Sequence, residues 1–300
     1  MKTFWIAVKR NTKLFFKDKG LFFTSLITPL ILLVLYATFL SNVYKNSFLT
    51  VFGSFNVTVD DKLMNGLVGG QLMSSLLAVS CVTVSFCSNM LMVQDKISGA
   101  RSDMIITPAK RSMLAFSYYV STTISTLIIC LLALGASLIY VGTIGWYLTF
   151  GDVMMLLLDV IILVTFGTAL SSVINFFLSS QGQISAVGSI VSSCYGFICG
   201  AYMPLASFGE GLRNAVMFLP GTYGTALMRK HSLDGAINEL AKSGLPEQAI
   251  TGLKDSIDCN LYFFGDKIST PVMYLVVLGT IAILLGAYVL INVLSKGKKK

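Results

Sequence analysis

The sequence predicts an all-α polytopic membrane protein, on three observations. Of its 300 residues 55% are hydrophobic and only 12% charged, against about 25% charged in a soluble domain. The apolar residues gather into six windows, each near the ~20 residues that a helix needs to cross a bilayer. Lys and Arg cluster beyond alternate ends of those windows, as crossing helices require.

The elements follow in chain order. Residues 1–20 form a basic amphipathic helix: Phe4, Trp5, Val8, Thr12, Phe15 and Phe16 share one sector at helical spacing, with Lys2, Lys9, Arg10, Lys13 and Lys17 opposite. That pattern suits a helix lying in the headgroup plane. Residues 21–204 carry five spans, at about 21–43, 66–90, 114–141, 153–178 and 183–204. Pro29 predicts a kink in the first, and residues 44–65 read as a short polar outer loop containing the triplet Asn56-Val57-Thr58, a glycosylation sequon that also occurs by chance. The second span opens with Gly66, Gly69 and Gly70. In the fifth, Gly188, Ser192, Gly196 and Gly200 recur every four residues. Such a stripe lets helix backbones approach closely, either within one bundle or between subunits. Residues 205–270, between the fifth and sixth spans, read as a small helical extracellular cap, nearly neutral with six basic and seven acidic residues. There Asp234 is expected to cap a helix over 235–243. Pro246 is expected to open another, with Ile250, Leu253 and Ile257 on one face. Residues 271–300 supply a sixth span to 294 and a basic tail.

Between the second and third spans lies a polar island at about 94–111, running from Gln94 to Arg111. Asp95 and Lys96 end the second span, Gly99 permits a tight turn, and 100–106 can form a short helix with Met104, Ile105 and Ile106 as an apolar edge. Thr107-Pro108 stops it. Such a helix suits docking on a cytosolic partner; an ordinary basic loop is the alternative. The N-terminus, island and tail together hold 14 of the 22 basic residues and three of the 14 acids, which places both termini in the cytoplasm. The net charge of +8 is therefore topological, and no nucleic-acid partner is expected. The first apolar run reads as an uncleaved span rather than a secretory signal. Five cysteines fall inside spans; Cys259 lies outside and is expected to be a free packed thiol, with a bridge between two copies as the alternative.

The chain carries little chemistry of its own. It has one histidine, His231, which reads as a surface residue of the outer segment, so intramembrane proteases and metal hydrolases are disfavoured. No phosphate-binding Gly-x-x-x-x-Gly-Lys-Ser/Thr loop occurs. No metal site is expected. Asp159 is the one acid well inside a span, a possible intramembrane polar site; it lies about two turns from the outer end, within reach of water or of a Ser, Thr or Tyr hydroxyl.

The island, with Asp95, Lys96, Gly99, Met104, Ile105, Thr107 and Pro108, resembles the segment after the second span of type-2 ABC-transporter permeases (the type V exporter fold). Ala100, Arg101 and Ser102 depart from the usual residues after the glycine, and Asp103 supplies the acid one place late. Gly200-Ala201-Tyr202-Met203-Pro204 followed by Phe218-Leu219-Pro220-Gly221-Thr222-Tyr223 is similar to the family's segment after the fifth span. The resemblance implies a permease without an ATPase site or cofactor of its own, paired with a second copy and with cytosolic ATPase subunits that bind ATP and Mg²⁺. It implies a connecting helix over 1–20. It also implies a coupling helix in the island, with Asp95, Lys96, Gly99, Arg101, Asp103, Met104 and Pro108 as its residues. The second and fifth spans would line a dimer-axis path, with Gly188, Ser192, Gly196, Gly200, Phe86 and Phe197 as dimer or pathway residues. The segment 202–223 would form a re-entrant gate with Pro204, Pro220 and Tyr223. Export of a hydrophobic or amphipathic substrate (drug, lipid-like toxin or peptide) through the cell membrane is the expected function. Polysaccharide or glycolipid export and a non-transporting sensor or immunity role are the alternatives.

Overall fold

The computed structural model describes residues 2–54, 59–107, 109–242 and 246–294. Helix α1 (Lys2–Lys17) leads into α2 (Lys19–Leu35), which passes through a π turn at Tyr36–Leu40 into α3 (Ser41–Ser54). Then come α4 (Asp61–Ile97), the short α5 (Ala100–Ile106), α6 (Arg111–Ile144), α7 (Phe150–Phe177) and α8 (Gln181–Ile198). A 3₁₀ turn (Leu205–Ser207), α9 (Glu210–Val216), α10 (Pro220–Lys242) and α11 (Glu247–Ser256) precede a hairpin of β1 (Tyr262–Phe263) and β2 (Asp266–Lys267). The last helix is α12 (Thr270–Leu294).

Five stretches are long and apolar enough to cross a membrane: 19–50, α4, α6, α7 and α12. These match five of the six expected spans. The remaining one is α8, whose 18 residues carry too many Ser, Gly and Gln to belong with them. Helix α4 is the hub, packed against α2, α6, α7, α8 and α10 and buried for 94% of its apolar window. Helix α12 is only 17% buried over its window, the condition of a helix that faces lipid.

Three expectations for residues 44–65 and 205–270 are corrected. The supposed loop at 44–65 is helical as far as Ser54, because Tyr44, Phe48 and Phe52 recur every fourth residue and are buried. Asp234 caps nothing: α10 runs unbroken from Pro220, so Asp234 lies in its interior. Most of α10 sits within the bundle between α4, α7 and α12. Small residues permit this seating. A Cβ on Gly70 would stand 2.6 Å from the Ser232 carbonyl oxygen, and one on Gly235 would strike the Tyr147 carbonyl. The expected α11 is present, with Pro246 at its N-cap and Leu253 and Ile257 buried. Its companion, the hairpin, turns on Phe264 and Gly265, both with positive φ. Asn56, Val57, Thr58 and Gly244 lie outside the described residues, as do Pro108 and the basic tail from 295.

Candidate coupling end and outer polar triad

The polar island forms the helix α5 that its sequence suggested, and three separate ties hold it to the bundle. Asp95, near the end of α4, is buried. Its Oδ2 accepts hydrogen bonds from Arg10 Nη1 at 2.7 Å and from the Tyr118 hydroxyl at 2.6 Å, and its Oδ1 accepts from Arg10 Nη2 at 3.3 Å. Thus α1, α4 and α6 meet at one carboxylate. Arg10 was placed on the polar face of α1, opposite the apolar sector. In the structure the inward face is instead Val8, Asn11 and Phe15 with Arg10 beside it, while Trp5 stays exposed. The bond from Asp95 lifts the Arg10 guanidinium above its ordinary range, against the lowering effect of burial. Charge-assisted pairs of this kind are about twice as strong as neutral ones.

The second tie is Lys96, whose Nζ donates to the Phe176 and Leu178 carbonyls at 3.2 and 2.8 Å, satisfying acceptors that the last turn of α7 leaves open. The third is Arg101, which donates to Asn292 Oδ1 of α12 at 3.2 Å. Gly99 joins α4 to α5 at φ +84°, with nothing within 4 Å of a built Cβ. Asp103 faces outward in the first turn of α5. Met104 packs inward against the cluster that includes Met92, Ala115 and Tyr288. The expected apolar edge splits: Met104 and Ile105 are half-buried, and Ile106 is 84% exposed.

The remaining site residues scatter more widely. Gly188 and Gly196 serve contacts within the chain, since a Cβ on either would strike the Met90 methyl or the Tyr202 ring. Gly200 has φ +75° and closes α8 into the turn that follows. Ser192 lines a groove of about 690 Å³ between α2, α4 and α8. Phe197 is exposed, but Phe86 is buried against the cluster that holds Phe166 and Tyr223 and so lines no open surface of this chain. Pro204 precedes the 3₁₀ turn and Pro220 opens α10. The Tyr223 hydroxyl donates to the Met217 carbonyl at 2.6 Å, fixing the loop before α10.

Asp159 meets a Tyr hydroxyl, as its position allowed, and also a histidine that the sequence did not name as its partner. One oxygen lies 2.6 Å from His231 Nδ1 and the other accepts from the Tyr274 hydroxyl at 2.6 Å. His231 is therefore not a surface residue; it is 9% exposed, because α10 enters the bundle. The triad joins α7, α10 and α12. Two residues before His231, buried Arg229 pairs with Asp258 at 3.0 Å and donates to the Gly200 and Ile257 carbonyls. This ties the cap to the turn after α8. Burial raises Asp258 from its ordinary range while Arg229 opposes it. Cys259 is buried, and its thiol is pushed up to about 12 by burial, which suits an inert packed thiol. Among the described residues no three His, Cys, Asp or Glu side chains stand together as a metal site would need.

This is a membrane helix bundle with a short polar helix at one end, packed on α4 and tied to α12 by Arg101. Residues 2–231 match the family of ABC-2 type transporters, and the chain belongs to that family. It is the membrane permease subunit of such a transporter, the transmembrane part, distinct from the ATP-binding subunit with which ABC-2 permeases pair. No curated protein matches the chain.

Proposed function

We propose that this permease exports a hydrophobic or amphipathic substrate as a homodimer driven by a separate ATPase. With α8 counted as a crossing there are six spans, and the basic N-terminus, α5 and tail lie in the cytoplasm. The observation that carries the reading is the groove between α2, α4 and α8. The α2 wall is the more apolar, with Leu21, Ile27, Ile31 and Leu32 beside Thr24 and Thr28; the α8 wall is the more hydroxylated, with Ser185, Ser189, Ser192 and Ser193. Its cytoplasmic end is marked by Asp18, Gln94 and Gln181. A path with one greasy and one polar wall fits a molecule with the same division, and it fits a polysaccharide less well. The serine face of α8 is too polar to rest against lipid, which supports a second copy covering it.

In this reading α5 receives the ATPase on its outer face, where Ile106 and Asp103 stand. The three ties pass its displacement to α1, α4, α6, α7 and α12. The test is reconstitution with the ATP-binding subunit that co-purifies. Amphipathic compounds are expected to stimulate ATP hydrolysis, and Ser189→Trp in the groove is expected to remove the stimulation while basal hydrolysis stays. Stimulation by oligosaccharides alone would move the reading to polysaccharide export. No associated ATPase activity at all would favour a non-transporting sensor.

A further inference from the structure

Beneath α5, facing the ends of α6, α7 and α12, lies a second cavity of about 270 Å³. It is lined by Lys96, Arg101 and Arg111, with Ser102, Phe176 and Asn292 among the remaining wall residues. Among the described residues no acidic side chain lines it. Asp95 is turned away into its bonds with Arg10 and Tyr118, and Asp103 is exposed on the other side of α5.

Three cations drawn together without a counter-charge repel one another, and the site's own acceptors are neutral. Lys96 is met by two backbone carbonyls and Arg101 by the Asn292 amide. The Phe176 ring lies 5.9 Å from Lys96 Nζ and 5.7 Å from Arg101 Cζ, holding both heads at the cavity without neutralising them. Arg111 stands exposed at the rim. The volume falls below the ~300–1,000 Å³ of drug-sized sites and suits one small anionic group. Flanking Asn292 on α12, Val289 and Val293 share one face at helical spacing and are exposed, an apolar strip beside the cavity on a helix mostly uncovered by the chain.

We propose that this cavity binds the phosphate of an anionic phospholipid, with its acyl chains along the exposed side of α12. The chemistry recognised is a phosphate ester held by two guanidinium groups and an ammonium. Free phosphate shares that chemistry; the adjoining apolar strip favours the lipid. With the orientation proposed above the lipid would lie in the inner leaflet; the site itself does not rest on that orientation.

Native mass spectrometry of the full-length chain, released from nanodiscs of equal phosphatidylglycerol and phosphatidylcholine, tests this without ATPase or transport. Its failure is thus separate from any failure of the export reading. Retention of one phosphatidylglycerol in preference to phosphatidylcholine is expected. Arg111→Gln should weaken it about fivefold, the weight of one Arg beside an anionic headgroup. Arg111→Lys should restore most of it, and Lys267→Gln in the distant hairpin should change nothing. Arg111 is exposed, so thermal melting should confirm that the variants stay folded. Equal retention of both lipids, or unchanged retention in Arg111→Gln, overturns the site. Displacement of the lipid by millimolar inorganic phosphate in wild type alone would keep the anion site and overturn the lipid as its occupant.

Discussion

Asp95 and Asp159 are both buried carboxylates of membrane-spanning helices, and each joins three helices. Removing one partner of such a group leaves the others unsatisfied, at about 1–3 kcal/mol per buried polar group. For Asp95 we predict that Arg10→Gln and Asp95→Asn each reduce stimulation of the ATPase severalfold while leaving membrane insertion intact. The double variant should be little worse than either single one, because both remove the same bond. Additive losses in ATPase stimulation would show that α1 and α4 act independently. For Asp159, Ala strands His231 and Tyr274, and the melting temperature should fall by several degrees. Asp159→Asn, which keeps an acceptor for Tyr274, should fall less. Equal melting of wild type and Asp159→Ala would mean that the triad contributes nothing to holding α7, α10 and α12 together.

At the scale of elements, α5 depends on its entry as much as on its own seven residues. Gly99 sits in the left-handed region with empty space around its Cβ position, so a substitution there meets backbone strain and no collision. We predict that Gly99→Asn, whose side chain tolerates this conformation, retains coupling. Gly99→Val, at a cost of about 1–2 kcal/mol, should reduce ATPase stimulation while the chain still assembles with its partner. Equal activity of the two would show that the turn's backbone geometry does not matter. This helix was legible because Asp-Lys, a glycine and a Thr-Pro stop are local signals. The role of Arg10 was not: helical periodicity put it on the solvent side, and its partner is 85 residues away. The seating of α10 was illegible for a related reason. Its 23 residues have low mean apolarity and are buried by small residues contributed by α4 and by its own Gly224 and Gly235. A buried helix without an apolar stripe therefore read as outer cap. His231 was misplaced with it, although the one acid in a span and the one histidine in the chain formed a pair worth testing.

Across the whole molecule, α4 and α7 behave as one body. Asn89 donates to Ser171 and Ser172 at 3.0 Å, Ser85 meets Thr168 at 3.3 Å, and Lys96 closes the end of α7. In lipid such bonds add to close packing, so under the proposed coupling a push on α5 would reach the Asp159 triad through a stiff pair of helices. By contrast α8 touches mainly α4. Its other side bears Ser185, Ser189, Ile190, Ser193, Cys194 and Phe197, all exposed, and this is the face proposed to meet the second copy. The small-residue stripe itself is less informative: Gly188 and Gly196 are occupied by Met90 and Tyr202 of the same chain, so a bulky residue at Gly196 would disturb the local fold before any interface. Cys194 gives a cleaner probe, because it is exposed while the other five cysteines are buried. We predict that mild oxidation or a short bismaleimide, applied to membranes holding the wild-type permease, produces a covalent dimer. Cys194→Ser should abolish that dimer, and Cys259→Ser should leave it unchanged, since the Cys259 thiol is packed in the cap and its pKa pushed up to about 12. A dimer that survives Cys194→Ser, or none in wild type at any linker length, would move the subunit contact away from α8. The substrate path would then have to be closed by α2 and the serine wall covered in some other way.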